Sequence, residues 1–394
     1  MKKLLFASTI LAMTATQTLA ADIKVGIILG FTGPIESMTP DMGSSAELAF
    51  KEASDSGMLL GGSKIVAIKG DSTCIDSAAA TAVAEKQITS DGVVAIMGAD
   101  CSGVTGAIAN NVAVPNGVVM VSPSATSPGL TALEDKGYFF RTAPSDARQG
   151  EVIADILKAR GIMDVAVTFT NNDYGKGLAG SFAEAYKALG GKITISAAHE
   201  DGKADYSAEV GALSASGSKY LAVFGYADQG GKGIIQSSLD SGAFDNFVLC
   251  DGMISDQLIA AIGKGLNGAI GTLPGGAGKG QDMFQAMAAK AGMKKGGAFT
   301  GESYDAGALI ALAMQAAGSA DRAGIQAKMM MVANAPGEKI MPGELAKALK
   351  ILKAGGDVDY VGATSVEFNK IGEVYGSYKE LEVKGGKFET IKIH

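Results

Sequence analysis

Histidine and cysteine are scarce in this chain, and both shortages exclude chemistry. The two histidines, His199 and His394, rule out a histidine-rich zinc site. Three scattered cysteines supply too few thiolates for a cysteine-based one. The acids Asp71, Asp76 and Asp100 lack the regular oxygen-ligand loop of a calcium site and read as helix caps and loop acids. No metal and no cofactor is expected. Acidic residues outnumber basic ones 41 to 34 with no basic stripe, so nucleic acid is not an expected partner. The alanine-rich runs at 78–84 and 306–317 are too interrupted to span a bilayer. Catalytic signatures are missing as well. There is no G-x-S-x-G elbow, no phosphate-gripping G-x-x-x-x-G-K-[ST] and no histidine near a strand end. Gly26, Gly30 and Gly33 do not have G-x-G-x-x-G spacing. The chain is not expected to be an enzyme.

What is present begins with Lys2 and Lys3, a short apolar core from Leu4 to Met13, and Thr18-Leu19-Ala20 with small residues at −3 and −1 of a cut. That is the pattern of a secretory signal peptide, cleaved near Ala20. Residues 1–20 are assigned to it, and the other 374 of 394 suffice for two domains. Apolar residues at 47% against 19% charged exclude disorder.

The mature chain alternates short β-branched runs with helical stretches. Runs at 23–29, 64–69, 93–97 and 118–121 read as strands, with helices at 43–57, 75–90 and 103–112 between them. Apolar on both faces, such strands belong to a parallel sheet covered by helices. A second set at 164–169, 192–197, 219–224 and 246–250 follows a break near Arg141-Thr142-Ala143-Pro144. Two α/β modules in series are expected. Irregular helices follow, and then a strand-like tail that ties the lobes together. Cys74 and Cys101 follow strands taken as neighbours and form the expected disulfide, leaving Cys250 as a buried thiol.

Ligands of open parallel sheets sit outside the carboxyl ends of the strands. In the first module those ends read Gly30-Phe31-Thr32-Gly33-Pro34, Gly98-Ala99-Asp100-Cys101-Ser102-Gly103 and Ser122-Pro123-Ser124-Ala125-Thr126-Ser127-Pro128. Small hydroxyls and backbone N–H groups in such loops hold a carboxylate without a basic side chain. Taken singly, Ser102 and Thr126 are accounted for as caps or turn residues; three loops facing one cleft point to a binding site. The second module offers Tyr174 and Tyr226, aromatic walls with hydroxyl rims, and Asp251, suited to a ligand ammonium. Donors on one lobe and an acid on the other describe a closing cleft for a zwitterion.

These segments resemble the branched-chain amino acid (Leu/Ile/Val) binding proteins of bacterial ABC transporters, of the type I periplasmic binding fold. The resemblance is strongest in Asp71-Ser72-Thr73-Cys74-Ile75-Asp76, Cys101-Ser102-Gly103, Ser122 to Pro128, Arg141-Thr142, Asn172-Asp173-Tyr174-Gly175-Lys176-Gly177 and Gly225-Tyr226. It implies two α/β lobes, each a parallel-type sheet flanked by helices, joined by three hinge crossovers. The lobes would be 21–142 with about 274–355, and 143–273 with about 356–394. The resemblance also implies the Cys74–Cys101 disulfide. Ser102, Thr126 and backbone near Ser124 match the carboxylate site; Tyr174, Tyr226 and Asp251 match the opposing lobe, Asp251 at the ammonium position. Family members with a Leu/Ile/Val pocket usually carry glutamate there, and an aromatic where this chain offers Met38. Both departures count against leucine, isoleucine or valine, but not against another small polar or zwitterionic molecule. The expected function is a periplasmic, monomeric binding protein that delivers an amino acid or related solute to an ABC permease in the inner membrane. An amide, urea or a small carboxylate remains an alternative ligand, and a sensing component for a membrane receptor an alternative role.

Overall fold

The computed structural model describes residues 22–293 and 296–394; the expected signal peptide lies outside the described residues. The first apolar run forms β1 (Asp22–Leu29), whose last five residues are all buried. Near-continuous burial follows from its position inside a five-stranded sheet. β1 is flanked by β2 (Lys64–Asp71) and β3 (Ala95–Gly98), and then come β4 (Val119–Ser122) and β5 (Phe139–Arg141), in the order β2-β1-β3-β4-β5, all parallel. Helices α1 (Thr39–Asp55), α2 (Ser77–Lys86) and α3 (Ser102–Ile108) connect these strands. Three-residue β5 was not anticipated, because so short a run carries no periodicity.

The chain then passes through α4 (Asp146–Ala159) into a seven-stranded sheet. Its parallel part comprises β6 (Asp164–Thr170), β7 (Lys192–His199), β8 (Tyr220–Phe224), β9 (Asn246–Leu249) and β10 (Ile270–Pro274). Helices α5 (Asp173–Ala188), α6 (Ser207–Ser214), α7 (Gly230–Ser241) and α8 (Asp256–Ile262) link them. A return toward the first sheet brings α9 (Lys279–Lys290), α10 (Thr300–Ala317), α11 (Arg322–Ala333) and α12 (Leu345–Lys353), with a small parallel pair β11 (Glu338–Ile340) and β12 (Val358–Tyr360). α10 is buried from Thr300 to Gln315 and packs on α1 and α11; its buried Asp305 accepts from the amides of Ala363 (2.8 Å) and Thr364 (2.9 Å). The Arg322 guanidinium at the start of α11 donates to the carbonyls of Ile88 and Val93, so the 319–343 region packs on its own half. The final hairpin, β13 (Tyr378–Lys384) and β14 (Lys387–Ile393), extends the second sheet antiparallel, in the order β14-β13-β10-β9-β8-β6-β7. The chain therefore passes three times between two α/β halves. No helix among the described residues is long and apolar enough to cross a membrane.

Cys74 and Cys101 are bonded, with Cα atoms 5.2 Å apart, and Cys250 is a buried thiol. The premise that their strands are neighbours is corrected: β1 lies between β2 and β3, and the bridge passes over its end. The loop after β2 turns inward through Thr73 and Cys74, both at positive φ, which carries the thiol across.

His199 is also corrected: it closes β7, so a histidine does stand at a strand end. It is buried, with Nδ1 2.8 Å from Thr168 Oγ1, and burial lowers its pKa to about 4 from 6.5. Between these values the unfolded chain takes up a proton that the folded chain refuses. Stability from this group is thus complete above pH 6.5 and is lost as pH falls toward 4, about 2 kcal/mol of it by pH 5. The drop in melting temperature from pH 7.5 to 5 is expected to be smaller in His199→Gln, as measured by thermal denaturation. An equal drop in both proteins would remove His199 from the acid response.

Candidate functional site

The carboxyl ends of the two sheets face each other, and their loops carry the polar side chains. On the first half, the loops after β3 and β4 are tied together. Ser124 Oγ donates to the Asp100 carbonyl (3.0 Å), and Ser102 Oγ accepts from the Ser127 amide (3.1 Å). The wholly buried Arg141 holds the second loop from behind, its Nη1 donating to the carbonyls of Ala125 (3.1 Å) and Ser127 (2.9 Å). On the second half, Asn172 caps α5 by accepting from the Gly175 amide (3.1 Å), which places Tyr174 in the first turn. Tyr174 stacks on Tyr226, the residue two beyond β8, with ring centroids 5.2 Å apart. Its hydroxyl donates to Asp251 Oδ1 at 2.6 Å and also receives the Gly252 amide at 3.2 Å.

These groups line one cavity whose free space, about 20 Å³, is that of about a single water molecule, so the closed halves must part to admit a solute. Six of the seven residues singled out from sequence line it: Met38, Ser102, Ser124, Tyr174, Tyr226 and Asp251. Thr126 is not in the lining: it is buried, its hydroxyl faces the Asp146 carboxyl, and its carbonyl accepts from the Asp146 amide (2.8 Å). Ile35, Met42 and Phe299 join Met38 in the apolar part of the lining.

Two of the lining side chains are buried acids, Asp100 and Asp251, and no lysine, arginine or histidine is among them. Burial raises the Asp251 carboxyl to about 6, against the Tyr174 hydrogen bond, which lowers it. Asp146, buried behind it, is pushed well above the carboxylate range by burial and by the charge of Asp251. Burial likewise raises both tyrosines far above neutrality, so they act as neutral hydroxyls. The chemistry on offer is one acid on each half, hydroxyls and amides on the first, and an apolar side wall. Such groups are complementary to an ammonium and to a carboxylate.

Hydrogen bonds join the two halves around the cavity. Asp228 accepts from the Ser37 amide (2.8 Å), its own amide donates to the Pro34 carbonyl (3.0 Å), and Ser127 Oγ donates to the Asp173 carbonyl (3.0 Å). Ser37 and Ser255 hydroxyls meet at 3.0 Å. The halves are therefore closed on each other, which excludes water and strengthens each polar contact inside.

Sequence reasoning passed over Asp100 and Phe299. Asp76 does cap α2, accepting from the amides of Ala78 (2.9 Å) and Ala79 (3.0 Å), as expected of it. Asp100 is corrected: read as a helix cap or loop acid, it is a buried cavity residue two positions beyond β3. Phe299 arrives from the start of α10, nearly two hundred residues beyond the loops it joins, and nothing local marked it. No cluster of three potential metal-ligating side chains occurs among the described residues.

Residues 22–341 match a family described as periplasmic binding protein. The Leu/Ile/Val-binding protein homolog 3 of Brucella melitensis is 32% identical over 336 residues, covering 82% of this chain and 86% of that protein. A leucine-, isoleucine-, valine-, threonine- and alanine-binding protein of Pseudomonas aeruginosa is 28% identical over 324 residues, 80% of this chain and 84% of its own. Among solved structures, a branched-chain amino acid transporter substrate binding protein of Streptococcus pneumoniae, in complex with isoleucine, has a TM-score of 0.78. It is 22% identical and covers 95% of this chain and 99% of its own, a likeness of fold.

Proposed function

The chain belongs to the periplasmic binding protein family, and from that premise we propose that it captures an amino acid or a similar small zwitterion and delivers it to an ABC importer. The observation that carries this reading is a single cavity lined by Asp251, Tyr174 and Tyr226 from one half and Ser102 and Ser124 from the other. In this reading the ligand ammonium pairs with Asp251. Its carboxylate lies among the hydroxyls and amides of the first-half loops. The lining is partly apolar and comes from both halves, which suits one solute per monomer taken up by closure. The names of the relatives at about 30% identity support amino acids as the class. Residues 21–142 with 274–355 and residues 143–273 with 356–394 are assigned as the lobes that open and close. Export to the periplasm, a monomeric state and docking on an inner-membrane permease complete the proposal.

A thermal-shift screen of amino acids, amides and small carboxylates on the purified protein tests it. A ligand at 100 times its Kd adds about 2.7 kcal/mol to stability, so a true ligand raises the melting temperature measurably. The rise is expected for amino acids and not for their deaminated analogues. A broad set that leaves the melting temperature unchanged would defeat the transport reading.

A further inference from the structure

The cavity holds one acid more than a simple zwitterion requires. Asp251 comes from the second sheet and suffices for the ammonium; Asp100, at the end of β3, lies on the other half. Asp100 is 2% exposed, and its oxygens accept from the Gly30 amide (2.6 Å) and Ser72 Oγ (3.1 Å). Both donors are neutral, and the cavity lining supplies no lysine, arginine or histidine to balance the charge. Burial accordingly raises its carboxyl above the ordinary range. The Cys101 amide also faces this carboxyl, so neutral groups supply its hydrogen bonds while its charge has no cation beside it. Against such a group an aliphatic side chain removes water and returns nothing, whereas an N–H or O–H replaces the lost hydrogen bond. We propose that Asp100 determines specificity, selecting a ligand whose side chain ends in a hydrogen-bond donor, an amine or a hydroxyl, over an aliphatic one of the same size. Ile35, Met38, Met42 and Phe299 then pack on the methylene stem of that side chain, and the acid receives its tip. This rests on the amino acid reading above and narrows it, away from the aliphatic ligands in the names of the relatives.

The test uses three amino acids matched in heavy-atom count: norvaline, homoserine and 2,4-diaminobutyrate. Each is titrated calorimetrically into the wild-type protein, Asp100→Ala and Asp100→Asn, with the fold of each variant checked by circular dichroism. In the wild type, homoserine or 2,4-diaminobutyrate is expected to bind at least about tenfold more tightly than norvaline. The preference is expected to collapse in the variants, a readout that a purely structural role for Asp100 would not move. Norvaline binding the wild type as tightly as both donor-ended ligands overturns the proposal while leaving the amino acid reading intact. So does a preference that persists unchanged in both variants. If neither variant folds, the wild-type series decides alone. Failure of all three ligands to bind the wild type overturns this proposal, and the broad thermal-shift screen then decides the amino acid reading.

Discussion

Asp251→Asn is expected to weaken binding of an amine-bearing ligand by about 30-fold or more while leaving the fold in place. Removing one partner of a buried, hydrogen-bonded charge pair costs roughly 2–5 kcal/mol, and each 1.4 kcal/mol is a factor of ten. The fold should survive because asparagine keeps an oxygen for the Tyr174 hydroxyl, which donates to Asp251 at 2.6 Å. Relief of the charge facing Asp146 also removes a repulsion. The wild type carries a pH signature of the same contact. Its Asp251 titrates at about 6 without ligand, and an ammonium favours the ionised form, so affinity falls as pH drops below 6. The variant has no carboxylate at 251, so its residual affinity should depend less on pH across this range, through Asp100 and Asp146 alone. Titration calorimetry at pH 7.5, 6 and 5 on both proteins reads the two effects together. Undiminished affinity in the variant would place the ammonium contact elsewhere, with Asp100 the first alternative.

Arg141→Met is expected to lower stability by about 3–5 kcal/mol, the cost of breaking a buried ion pair by deleting one partner. Arg141 is fully buried and bonded in two directions. One nitrogen serves the carbonyls of Ala125 and Ser127, and the other serves Thr131 Oγ1 (2.9 Å) and Glu373 Oε1 (2.6 Å). Methionine fills the space but leaves a buried carboxylate and two carbonyls without their cation. Ligand affinity should fall too, since the loop that presents Ser124 is held from behind by this guanidinium. Arg141→Lys is expected to rescue only part of the loss, because a point charge cannot reach four acceptors in a fixed fork. Glu373→Gln, which removes the negative charge but keeps an oxygen, should cost less than Arg141→Met. Denaturant unfolding of the three variants ranks them. Equal stability of Arg141→Met and wild type would show that the hub contributes packing alone.

The apolar strand runs were legible because parallel strands buried on both faces leave an almost unbroken signal, as in Ile23 to Leu29 and Tyr220 to Phe224. Most of the cavity residues were legible for a topological reason: in such sheets the residue just after a strand faces the ligand. Ser102, Ser124, Tyr226 and Asp251 all follow strands closely, and the cavity gathers all four. The order of strands was not legible. Hydrophobic runs state that strands exist, not which lie side by side, and so β1 was not placed between the strands that lead to Cys74 and Cys101. Local pattern also could not separate Asp100 from Asp76. Both stand in strand-end loops before helices, yet one is buried in the cavity and the other caps α2 at the surface.

The sequence by itself determined the fold class, the two α/β halves, the disulfide partners and the pairing of an acid-bearing half with a hydroxyl-bearing one. These follow from local pattern, and from resemblance carried by short motifs. Only the tertiary structure decided which side chains share the cavity, that Thr126 is buried outside its lining, and that a second acid and Phe299 stand in it. Burial and charge balance at a point are summed over segments far apart in the chain, and no window of sequence contains that sum.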